Sequence, residues 1–293
     1  MIALVALLAV VGAACSSSAS KPGAAGPVKV VAAENFWGDI ARQIGGSHVE
    51  VNSIINDPSA DPHQYESDAR TAAHVADAQL VIVNGLGYDD FVNKLLSNTS
   101  HQGRAVLSVA DTLGVNGHDA NPHLWYDVQK ADGVARAIAL ALAAVDPAHA
   151  ASFAANVEPF RKSLLPLTRL LVTIRREFPG ASVAYTERVP QYLLDAAGLR
   201  DVTPSGFARA IEDGNEPSAG DTQAMNTLIT QHRIKALLYN AQATSAVTQH
   251  VQDLARENGI PVVPVTETMP KNESSYQAWQ QHQLEALLRA LAR

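Results

Sequence analysis

The segment Asp146–Phe178, DPAHAASFAANVEPFRKSLLPLTRLLVTIRREF, separates two halves of similar make-up and decides how the chain is organised. Phe153, Val157, Phe160, Leu164, Leu167, Leu171 and Ile174 recur at three- and four-residue steps, which gives a helix with one apolar face. Asp146 reads as its N-cap and Pro147 as its first helical residue. At 1.5 Å per residue such a helix would run ~45–50 Å. Pro159 and Pro166 lie inside it and are expected to bend or interrupt it.

On either side, short apolar runs alternate with helical patterns. Before the linker the pattern predicts strand Val28–Ala33, helix Phe36–Ile44 closed by Gly45-Gly46, and strand His48–Ile55. Helix Ala69–Ala78, strand Leu80–Asn84, helix Asp89–Ser97 and strand Ala105–Val109 follow. After the linker it predicts strand Ser182–Thr186, helices Gln191–Ala197 and Asp221–Gln231, and strand Ala236–Tyr239. Helix Ser245–Asn258, strand Val262–Val265 and helix Tyr276–Leu291 complete the chain. Strand–helix alternation implies parallel sheets covered on both faces. The fold class is therefore α/β: an N-terminal lobe at 28–145, a linker helix at 146–178 and a C-terminal lobe at 179–293. With 293 residues and 47% hydrophobic content the chain can bury cores for both.

The first residues carry an address. Ile2–Ala14 is an apolar run too short to span a bilayer, and it ends in Gly12-Ala13-Ala14 directly before Cys15, the one cysteine of the chain. Residues 1–14 read as a signal peptide. Cys15 reads as a lipidated residue, and 15–27 as a flexible tether of Ser, Ala, Gly and Pro. This places the protein outside the cytoplasm, anchored to a bacterial membrane by lipid. The net charge of −7 argues against a nucleic-acid partner.

Two motifs carry the chemistry. Asp61-Pro62-His63-Gln64-Tyr65-Glu66 and Asn121-Pro122-His123-Leu124-Trp125-Tyr126-Asp127 each place a histidine behind a proline. Proline fixes its own φ and pushes its predecessor out of the helical region, so each ring sits at a pre-shaped turn. Two histidines with carboxylates from elsewhere make a metal site. Glu187 and Glu267 follow predicted parallel strands at their carboxyl ends, where open α/β sheets gather ligands. Asn240, ending another strand, is placed to hydrogen-bond a ligand from behind. His118 and Asp119 read as a solvated loop, and Tyr65 and Trp125 as packing. His74, His149, His232, His250 and His282 read as surface residues of helices.

The two histidine motifs resemble those of the receptors of zinc and manganese ABC importers, bilobal solute-binding proteins with a helical backbone. The resemblance covers nearly the whole chain after residue 27. It implies that a long helix joins the lobes and that the metal lies in the cleft between them. It also implies that His63 and His123 are ligands from the first lobe, and Glu187 and Glu267 from the second. The third ligand is a histidine in many zinc receptors of this family and a glutamate in many manganese receptors. The fourth is usually an aspartate, where this chain has the longer Glu267. The cargo implied is one Mn2+ or Zn2+, and the partner an ABC permease that a monomeric receptor would serve.

Two imidazoles and two carboxylates balance a divalent cation, so the closed site buries no net charge. Two carboxylates also make a harder, oxygen-rich shell that suits manganese, although zinc competes at almost any such site. Two other readings compete. A receptor of the same architecture for an iron chelate or vitamin would need an aromatic-lined cleft, against 5% aromatic residues. A secreted metallohydrolase would need a base beside the metal, for which Glu66 is the obvious candidate. No His-Glu-x-x-His helix, nucleophile elbow or phosphate loop supports an enzyme.

Overall fold

The computed structural model describes residues 26–57, 65, 67–99 and 103–293. The signal segment, Cys15 and His63 lie outside them.

Lobe one alternates β1 (Val28–Glu34), α1 (Asn35–Gly45), β2 (Val49–Ile55), α2 (Ala69–Asp77), β3 (Leu80–Val83), α3 (Asp90–Asn98) and β4 (Ala105–Ser108). It closes with α4 (Val109–Leu113) and α5 (Ala131–Val145). The linker comprises α6 (Ala150–Ser163) and α7 (Leu165–Glu177). Lobe two runs β5 (Ser182–Tyr185), α8 (Gln191–Ala196), β6 (Arg200–Asp201), α9 (Ser205–Glu212), α10 (Ala219–Thr230) and β7 (Ala236–Asn240). It ends with α11 (Ala246–Glu257), β8 (Val262–Val265) and α12 (Tyr276–Leu291).

Each lobe has one four-stranded parallel sheet, ordered β2-β1-β3-β4 and β6-β5-β7-β8. The orders are the same, so β1 corresponds to β5 and β3 to β7. In both sheets the direction of winding reverses between the two central strands. That reversal opens a crevice at their carboxyl ends.

Side-chain alternation divides each strand between two cores. Val28, Val30 and Ala32 of β1 join Val183 and Tyr185 of β5 and Ala236 and Leu238 of β7 in one cluster spanning both lobes. Val31 and Ala33 face a second cluster with α2 and α3, and Ala184 and Leu237 a third within lobe two. Close approach shapes the first layer as well. A Cβ on Gly38 would lie 2.1 Å from Ser53 Oγ, so any larger residue there would force the Ser53 side chain to move.

The linker differs from one continuous helix. α6 runs through Pro159, and the break falls at Leu164, two residues before Pro166 in the first turn of α7. There the missing N–H costs nothing, because first-turn donors have no partner within the helix. Asp146 does not cap the helix. Its Oδ2 pairs with His149 Nδ1 at 2.6 Å across a 3-10 turn, and His149 stacks on His48 at 3.8 Å. His48 itself closes a 3-10 turn rather than opening β2, and His232 lies in the turn after α10 with a φ of 51°.

The lobes are fastened through α1 and α12. Asn35 exchanges two hydrogen bonds with the backbone of Met269, at 2.7 and 3.0 Å. Asp39 Oδ2 accepts from Tyr276 N at 2.8 Å, and Gln277 bonds both Gln43 and Ser163 of the linker.

Candidate metal centre

His123 follows Pro122 at the start of a short 3-10 turn and is fully buried. Asn121 Oδ1 meets both its backbone N–H, at 3.1 Å, and its ring Nδ1, at 2.6 Å. An acceptor at Nδ1 sets the tautomer with hydrogen there and leaves Nε2 as the ligating nitrogen. The same Asn121 reaches lobe two: its Nδ2 donates to Arg188 O at 2.8 Å, and Tyr192 Oη donates to its carbonyl at 2.9 Å. Trp125 stacks on Phe36 with ring centres 4.3 Å apart, which fixes the floor beneath the histidine.

Lobe two supplies the carboxylates. Glu187 follows β5 and Glu267 follows β8, and they are 1% and 0% exposed. Asn240, at the carboxyl end of β7 between them, donates from Nδ2 to Glu267 Oε1 at 2.7 Å and to Glu187 Oε2. Its backbone N–H donates to Thr186 Oγ1 at 3.0 Å, which locks the ends of β5 and β7 together.

Across the cleft, Glu267 Oε2 lies 3.7 Å from His123 Nε2 and accepts from Tyr88 Oη of lobe one at 2.8 Å. Of the four expected ligands, His123 thus lies against Glu267, and Asn240 ties Glu267 to Glu187, all of them buried where the lobes meet. Among the described residues alone, no group of three or more such side chains is disposed to hold a metal ion, and His63 lies outside them.

Sequence reasoning missed Tyr88, Gln242 and the lobe-bridging role of Asn121. Gln242 Oε1 accepts from Glu267 N at 2.5 Å and Thr268 N at 2.9 Å, which fixes the loop that aims Glu267. Tyr88 follows Asn84-Gly85-Leu86-Gly87 after β3, where φ is positive at Gly85, Leu86 and Gly87. A glycine-rich turn at the end of a central strand was the available signal. His118 is solvent-exposed, and Asp119 pairs with Arg209 at 3.2 Å.

The sequence model of a family described as "Zinc-uptake complex component A periplasmic" matches residues 30–290. The metal ABC transporter substrate-binding lipoprotein FimA of Streptococcus parasanguinis is 24% identical, over 85% of this chain and 82% of its own. The manganese ABC transporter substrate-binding lipoprotein PsaA of Streptococcus pneumoniae serotype 4 is 22% identical, over 98% of this chain and 96% of its own. Among solved structures, the periplasmic zinc-binding protein TroA of Treponema pallidum superposes with a TM-score of 0.78 at 20% identity, covering 92% of this chain and 100% of that one.

Proposed function

Because the chain belongs to the family of the periplasmic component A of zinc-uptake complexes, we propose that it captures one Mn2+ or Zn2+ outside the cytoplasm and delivers it to an ABC permease. The observation that carries this reading is buried His123 of lobe one against buried Glu267 of lobe two, which Asn240 ties to buried Glu187. Burying two carboxylates is costly, and a divalent cation held between them offsets that cost. His63 completes the set as the second imidazole, which gives a closed shell of protein ligands with no position kept for a reacting water. The site therefore suits capture rather than catalysis. Cys15 carries the lipid, and residues 15–27 tether a monomeric receptor to the membrane.

One experiment tests receptor and anchor together. Membranes are separated from the soluble phase of expressing cells, and metal is measured on the purified chain. The wild type should partition with membranes and Cys15→Ala should not. The released form should carry about one manganese or zinc per chain, and His123→Ala should carry none. Metal should raise the melting temperature, by about 2.7 kcal/mol of stability at a hundredfold excess over Kd. A purified chain that neither holds these metals nor melts higher with them would end the proposal.

A further inference from the structure

One buried acid has no part in the metal centre. Glu34 ends β1, continues the inward row of Val30 and Ala32, and is 0% exposed. Neither of its carboxylate oxygens accepts a hydrogen bond, and it does not cap α1. Its place is the crevice of lobe one, where the winding reverses between β1 and β3. In lobe two the corresponding crevice holds Glu187 and Asn240. Lobe one places Glu34 and Asn84 there, but Asn84 has other commitments. Its Nδ2 donates to Pro122 O at 2.8 Å, and its Oδ1 accepts from Trp37 Nε1 at 3.3 Å.

β1 and β3 pair in register from Val30–Leu80 to Ala32–Ile82, which carries Glu34 alongside Asn84 and so beside another acid, Asp89. The Asp89 carboxylate accepts from Asn84 N at 2.5 Å and Gly85 N at 2.9 Å, closing the turn that carries Tyr88. No ion pair reaches either acid among the described residues. The other charged groups on packed elements are engaged or distant. Asp39 of α1 is held by Tyr276 N and Gln43, and Arg42 reaches Ser53. Lys29, Glu50, His74 and Asp77 gather at the opposite, amino-terminal edge of the sheet. Asp90 adds only a further negative charge beside Asp89.

Two ionised carboxylates side by side are acceptors with nothing to donate, and burial without a cation forbids both charges. A single proton removes the conflict, because it turns one acid into a donor to the other. The backbone N–H groups of Asn84 and Gly85 favour the charged form of Asp89, whereas at Glu34 burial and the neighbouring Asp89 charge outweigh its own backbone N–H. We propose that Glu34 and Asp89 share one proton, carried on Glu34 and donated to Asp89, and that this buried acid pair clamps the turn holding Tyr88 against Glu267. Burial, with the Asp89 charge beside it, raises Glu34 well above the glutamate range, and burial lifts Asp89 to about 6. The consequence for Tyr88 rests on the metal-receptor reading, whereas the shared proton does not.

Infrared spectroscopy of the full chain, stripped of metal by chelator, tests the proton directly. At pH 7.5 the wild type should show the carbonyl stretch of a protonated carboxyl, and Glu34→Gln should lose it. An acid whose folded pKa is raised binds more protons folded than unfolded, so stability falls as pH rises from the unfolded value toward the folded one. Glutamine keeps the donor without the titration. Glu34→Gln should therefore gain stability relative to wild type as pH rises above about 4. Absence of the band, its persistence in Glu34→Gln, or failure of that variant to fold would each overturn the pair. None of these readings depends on metal, so they stand apart from the test of cargo.

Discussion

Asn240 holds two carboxylates with one amide nitrogen, and that geometry makes it more than a neighbour of the site. In the proposed receptor its N–H groups would hold Glu187 and Glu267 in place before any cation arrives, so less order would remain to be imposed on binding. Asn240→Ala should lower metal affinity 10–100-fold, the usual effect of losing a partner that orients a ligand. Isothermal titration with Mn2+ and with Zn2+ checks it, and affinity within twofold of wild type would contradict the assigned role. Alanine at this position cannot donate to either carboxylate, so their orientation is lost.

Elements were more legible than their ends. Strand Val262–Val265 and helix Tyr276–Leu291 match the sequence reading residue for residue, because Gly259 and Pro261 precede the first and Ser275 caps the second. β6 and α9 were not anticipated: a two-residue edge strand has no periodicity to read, and tertiary pairing with β5 makes it. α5 was missed although it is apolar, since Ala-rich runs lack a polar face to set the period. That Glu187 and Glu267 follow strands was readable because the strands themselves were. Tyr88 and Gln242 were not, because they act through bonds to residues about 180 and 25 positions away. The linker shows the same limit. Pro159 and Pro166 look alike in sequence, yet one sits in a helix interior and the other in a first turn. Pro159→Ala should therefore stabilise the protein by ~1–2 kcal/mol, since interior proline costs about 3 kcal/mol and the stiffer unfolded chain offsets part of it. Pro166→Ala should change stability by no more than about 0.5 kcal/mol. Urea denaturation of both variants decides, and equal effects would contradict the reading.

The two sheets turn their inner faces to one common core, with α1 and α12 bonded across it. A shared core couples the lobes more tightly than a cleft between separate domains would. Calorimetry of the metal-free protein should therefore show a single cooperative transition, moved to higher temperature by Mn2+ or Zn2+ without splitting. Two resolved transitions would mean that the lobes melt independently. The same shared core governs what the chain can be cut into. Severed after Phe178, each fragment would expose half of a hydrophobic interior, Val30 and Ala32 on one piece and Leu238 and Trp279 on the other. Such pieces would cling to each other or precipitate. The repeat is visible in the strand order, but neither copy is a module that can be transplanted alone.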